Sequence, residues 1–192
     1  MPLSTPAPRE HLHTRSIECK GYQRADGLWD IEGHITDVKT YSFSNEWRGE
    51  VTPGIPLHEM WIRLTLDDDF VVQGVEAATD NSPYSICPSA APNFQKLKGL
   101  KIGKGWNKTV KELLGNTEGC THIVELLPQM ATVSFQTIRA FRRARKSRTP
   151  NAETMGAKER SPQLNTCYAW STEREVVQRW LPEFYTGKPS VP

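Results

Sequence analysis

The feature of this chain that most restricts its fold is a change of hydrophobic period at Asn81-Ser82-Pro83. Before that point apolar and polar residues alternate, the pattern of a half-buried strand. After it the apolar residues recur at three and four, the pattern of a helix packed by one face. Strands are expected over residues 14–24, 28–40, 57–66 and 70–78. Asp26-Gly27 is a hairpin signal between the first two, a polar Gly/Pro-bearing connection covers 42–56, and Asp67-Asp68-Asp69 turns the chain into the fourth strand. Helical spacing covers 90–97, 106–114 and 120–143. Strands first and helices after give an α+β fold: an antiparallel β-meander of about four strands followed by helices packed on one face.

Outside that block the patterning weakens. Residues 1–12 carry three prolines and read as a flexible N-terminal arm, 13–145 as a single α+β domain, and 146–169 as a polar, flexible linker. Residues 170–192 read as a C-terminal helix and tail. There Thr172-x-x-Glu175 has the form of a capping box, and Val176, Val177, Trp180 and Leu181 supply an apolar stripe. Such a helix must pack on its own domain or on a second copy, so a homodimer is a natural expectation.

At 192 residues the chain is long enough to bury a core without disulfides or metal. Its 24 basic and 22 acidic side chains nearly cancel, so no whole-protein field draws it to nucleic acid, and the cluster Arg139, Arg142, Arg143, Arg145, Lys146 and Arg148 reads as the solvated end of the long helix. No apolar run approaches the roughly 20 residues that span a bilayer. With no apolar signal core in the first residues, a cytoplasmic location and no membrane partner are expected. The cysteines Cys19, Cys87, Cys120 and Cys167 include no C-x-x-C pair and read as free thiols.

Several polar residues fall where chemistry is possible. The second strand sends Asp30, Glu32, His34 and Thr36 to one side and Trp29, Ile31 and Ile35 to the other, while the third opposes Glu59, Trp61, Arg63 and Thr65 to Met60, Ile62, Leu64 and Leu66. The polar rows are either a solvated outer face with cross-strand ion pairs or part of a site. His58 follows Pro53-Gly54-Ile55-Pro56 and lies on the apolar side of its strand, where an imidazole tuned across neutral pH can act as acid or base. Gly119-Cys120-Thr121-His122 opens the longest helix, where the helix dipole favours a thiolate, and Glu125 lies one turn from His122 and can orient its ring. Tyr84 sits in the loop joining sheet to helices.

Certain of these blocks are familiar together. The run Gly21 to Asp37, with Gly54-Ile55-Pro56-Leu57-His58-Glu59-Met60, Pro83-Tyr84-Ser85-Ile86-Cys87, Gly103-Lys104-Gly105-Trp106 and Gly119-Cys120-Thr121-His122, resembles the bacterial domain-of-unknown-function family 2889. The resemblance covers about residues 21–137 and implies a compact bacterial domain. It brings with it an association with aromatic-compound breakdown, and no assigned catalytic residues.

Two activities fit these residues. The first is an acid/base enzyme without a cofactor, a lyase or isomerase acting on a small aromatic or other amphipathic acid. His58 is then the base, Glu32 or Asp30 orients it or acts as acid, Arg24 holds the substrate anion, Tyr84 bonds a phenol or alkoxide, and Trp29, Trp61 and Trp106 wall the pocket; His122 joins the catalytic set. The second is a non-catalytic metal-binding or iron–sulfur-type scaffold holding zinc or iron on Cys87, Cys120 and His122. A partner-binding module acting through the terminal helix is a third.

Overall fold

In the computed structural model, residues 3–147, 161 and 163–187 are described, and the chain forms two compact units, Met1–Arg145 and Lys146–Pro192. In the first, β1 (His13–Gln23), β2 (Trp29–Lys39), β5 (Pro56–Leu66) and β6 (Val72–Asn81) make one antiparallel sheet in that order. Gly27 takes φ +89° in the β1–β2 turn, a conformation that a glycine adopts without strain. Between β2 and β5, the segment expected to be a plain connection folds into a two-stranded ribbon of β3 (Phe43–Asn45) and β4 (Gly49–Val51). Three-residue strands are too short to announce themselves by alternation.

The helices follow as the period change requires. A 3-10 helix covers Cys87–Leu97, then come α1 (Trp106–Leu114) and α2 (Thr121–Ser147). The first of these was expected as an α-helix. Pro92 inside it has no amide hydrogen to donate, which favours the tighter, irregular winding. Trp29, Ile31 and Ile35 from β2 and Met60, Ile62, Leu64 and Leu66 from β5 pack into one core with Phe94, Leu97, Trp106, Val110, Leu114, Ile123, Leu126, Leu127, Met130 and Ile138. The sheet thus has one helix-covered face and one open face, and burial along β2 alternates strictly between them.

The path of α2 across the covered face sets everything that follows. His122 meets Asp37. A Cβ on Gly33 would lie 2.8 Å from Met130 Sδ and 3.3 Å from Leu126 Cβ, and one on Gly21 would collide with Thr137. Phe141 packs edge-on against Trp29 at 5.7 Å. The helix therefore runs along the β1–β2 pair from the Asp37 end to the Trp29 end, and two side-chain-free positions let it lie close to the strands. At its far end Arg139 stacks over Phe70 and Phe135, and Arg142 pairs with Asp68. No helix among the described residues is long and apolar enough to cross a membrane.

The second unit contains α3 (Glu175–Trp180) and a 3-10 turn, Pro182–Phe184. Of the expected linker, 148–160 and 162 lie outside the described residues, as does the tail 188–192 of the expected C-terminal segment. Residues 163–171 form successive tight turns, closed by Thr166 N–H to Gln163 and Trp170 N–H to Cys167. The expected capping box does not form. Thr172 is tied instead to Thr186 by backbone and hydroxyl hydrogen bonds, so the helix starts later, with Arg174 at its N-cap and no side-chain cap. Val177 is buried and Trp180 is exposed.

Candidate functional site

One row of residues crosses three strands. Arg15 on β1 pairs with Asp37 on β2, and Asp37 pairs with His58 on β5, all on the helix-covered face. A bulge follows at once, where the register shifts between Asp37 and Val38; bulges re-aim side chains beside sites. The first turn of α2 then lowers His122 onto the row.

Asp37 is the hub, at 2% exposure. Its Oδ1 accepts from Arg15 Nε at 2.8 Å and from His13 Nε2 at 2.9 Å, and its Oδ2 accepts from the other arm of the Arg15 fork at 2.8 Å and from His58 Nδ1 at 3.0 Å. His122 Nε2 lies 3.5 Å from the same Oδ2. The two imidazoles stack, ring centres 3.8 Å apart and planes 28° apart. Glu125 binds the remaining arm of Arg15, and Cys120 Sγ lies 3.9 Å from His122 Nδ1.

The electrostatics follow from that crowding. Burial raises the Asp37 carboxyl's affinity for a proton, but hydrogen bonds from Arg15 and His13 and the guanidinium charge outweigh it, holding the group well below the usual carboxylate range. Burial pushes His58 down from the ordinary imidazole value, the neighbouring His122 adds to this, and Asp37 only partly opposes it. His122 is also pushed down, first by burial and then by the Arg15 charge. Both rings are therefore neutral near pH 7. Because Asp37 is ionised and can only accept, His58 must present Nδ1–H to it, which leaves the Nε2 lone pair free to take a proton.

The other residues singled out from sequence lie elsewhere. Asp30, Glu32 and His34 share the open face: Thr65 donates to Asp30 at 2.7 Å, Arg63 donates to Glu32 at 2.8 Å, and His34 stacks on Trp61 at 3.4 Å. Neither Glu32 nor Asp30 orients His58; Asp37 does, because it has the parity of Trp29, Ile31 and Ile35 and they do not. Arg24 forks onto Asp26, nine residues along the chain from Arg15, the register partner of Asp37, roughly 30 Å at the strand rise. Tyr84 is exposed and packs edge-on against Trp47 at 5.0 Å. The tryptophans do not wall one pocket, since Trp61 is on the open face while Trp29 and Trp106 are core residues. Glu125 turns to Arg15 rather than to His122.

Among the described residues, one set of three metal-type ligands converges, Asp37, His58 and His122, with ligand atoms all within 4.8 Å of one another. Cys87 and Cys120 are not part of it. Sequence reasoning found His58 and His122 and missed Asp37, Arg15 and His13. The missed signal was a carboxylate standing in the apolar row of β2.

A family model described as Protein of unknown function (DUF2889) matches residues 13–136, a span that contains every member of this cluster. No curated protein and no solved structure matches the chain.

Proposed function

Starting from the premise that this chain belongs to the DUF2889 family, we propose that the Asp37, His58 and His122 cluster is an acid–base catalytic centre, with His58 as general base in a lyase or isomerase reaction. The observation that carries the reading is the 3.0 Å contact from His58 Nδ1 to a buried, ionised Asp37. A carboxylate so placed fixes the tautomer and the ring orientation, and it stabilises the imidazolium that forms when Nε2 accepts a proton. Burial, and after it the His122 ring stacked on this one, keep its basicity low, so His58 is unprotonated and available near neutrality. His13 and Arg15 act through Asp37 as positioning residues.

Proton abstraction leaves an isotopic trace whatever the onward reaction. Incubating the protein in D2O with a panel of small aromatic and amphipathic carboxylic acids should place deuterium on carbon in at least one of them, read by mass spectrometry. His58→Gln should abolish that exchange in a folded protein, and Asp37→Asn should slow it by about 10²–10⁴-fold. Exchange that survives His58→Gln unchanged removes His58 from the mechanism.

A further inference from the structure

We infer that the same cluster is a binding site for one divalent transition-metal ion of the zinc or cobalt class, held by Asp37 Oδ2, His58 Nδ1 and His122 Nε2. Two imidazoles and a carboxylate are ligands of the borderline kind such ions prefer. The spacing fits at both edges that meet Asp37, and all three ligand atoms lie within 4.8 Å of one another. Ligands about 2.1 Å from an ion stand ~3.0 Å apart at cis octahedral positions and ~3.4 Å apart at tetrahedral ones. The structure has His58 Nδ1 at 3.0 Å and His122 Nε2 at 3.5 Å from Asp37 Oδ2.

The surroundings of these three atoms are those of a supported ligand set. Each of β2, β5 and the first turn of α2 contributes one residue. Asp37 is held at Oδ1 by Arg15 Nε and His13, the second arm of the Arg15 fork also donates to Oδ2, and His122 is backed at Nδ1 by the Cys120 sulfur, contacts of the kind outer partners make around a metal. Arg15 is a positive charge beside a cation site, and Glu125 on its third nitrogen offsets it. Three protein ligands leave at least one position for water or a substrate oxygen.

The inference shares its residues with the acid–base reading and opposes its chemistry. An ion on Nδ1 displaces the proton that His58 gives Asp37 and leaves Nε2 carrying the ring's hydrogen, so the imidazole can no longer act as base. Metal and proton transfer therefore exclude each other, and the ion switches the base off.

The test is a titration of chelator-stripped full-length protein, prepared without a metal-affinity step, with Co²⁺. Visible absorption and calorimetry should show saturation at one ion per chain. His58→Gln and His122→Gln should each weaken binding at least tenfold, and His34→Gln on the open face should leave it unchanged. Should either cluster variant fail to fold, imidazole NMR of the wild type with Zn²⁺ serves instead: His58 and His122 signals should shift and those of His34 should not. Absence of saturable binding, or binding that both substitutions leave intact, overturns the inference. Deuterium exchange without metal uptake overturns it and leaves the acid–base centre standing. Metal uptake at His58 and His122 with no exchange, with or without chelator, supports it and overturns the acid–base centre.

Discussion

Arg15 and Asp37 face each other directly across β1 and β2, and the guanidinium fork donates to both carboxylate oxygens at 2.8 Å, fixing one negative charge in a face otherwise packed with Ile31, Ile35 and Met60. Removing the fork leaves a buried carboxylate with only imidazole donors. Arg15→Met should cost about 2–3 kcal/mol, less than a fully buried pair would, because about a third of the Arg15 side chain is solvated. In a double-mutant cycle with Asp37→Asn by urea unfolding, the two costs should fall short of additivity by about 1–2 kcal/mol. Simple additivity would show that the pair does not act as a unit.

Stability should fall with pH earlier than in a protein without this cluster. Both His58 and His122 are harder to protonate folded than unfolded, because burial disfavours their charged forms. The unfolded chain therefore takes up protons first as pH drops below about 6.5. Their contribution is complete above that value and is lost as pH falls through the lower, folded values. Asp37, held down by Arg15 and His13, contributes above the usual carboxylate range and is lost only in stronger acid. The urea midpoint of chelator-treated protein should decline between pH 7 and 5, and His58→Gln/His122→Gln should flatten that slope.

The two glycines under α2 should respond unequally to a methyl group. At Gly33 the nearest obstacle is the Met130 sulfur, the flexible part of an adaptable side chain, whereas at Gly21 it is the whole branched end of Thr137. Gly33→Ala should therefore cost about 1 kcal/mol and Gly21→Ala about 2–3 kcal/mol. Thermal unfolding of the two variants, with Thr137→Ala as rescue for the second, checks the order. Equal costs would mean that the helix, not the side chain, absorbs both.

Replacing the open-face carboxylates should do little. Arg63 bridges Glu32 and Glu76 at 2.8 Å each, but in water-exposed geometry. Glu32→Gln should cost under about 1 kcal/mol and leave both deuterium exchange and metal uptake as in the wild type. A large loss of either would move the site to the other side of the sheet.

What the chain revealed in advance was whatever depends on near neighbours. Alternation placed His58 on the covered side, and helix spacing placed Cys120, His122 and Glu125 at the start of the long helix. Asp37, which was missed, has the same parity as Trp29, Ile31 and Ile35, and reading one residue pair further would have isolated it as a charge in an apolar row. Arg15 and His13 were not accessible that way. Their partner lies more than twenty residues off, and its identity depends on hairpin register, which one residue of slip would invert. Glu125 shows the same limit, because a helical neighbour three residues from His122 turned out to prefer a strand residue 110 positions away.

The alignment of α2 with β2 has a further consequence. From His122 to Phe141 is 141 − 122 = 19 residues, about 28 Å of helix. From Asp37 to Trp29 is 37 − 29 = 8 residues, about 26 Å of strand. Two elements with different rises per residue are thus gauged to the same span, pinned at one end by an aromatic pair and at the other by the carboxylate. Adding a helical turn between the pins would overshoot the cluster by about 5 Å. Lineages carrying this cluster should therefore keep the count of residues between Leu126 and Ile138 fixed, with substitutions confined to the solvent-facing positions there and insertions gathering instead in the β3–β4 ribbon.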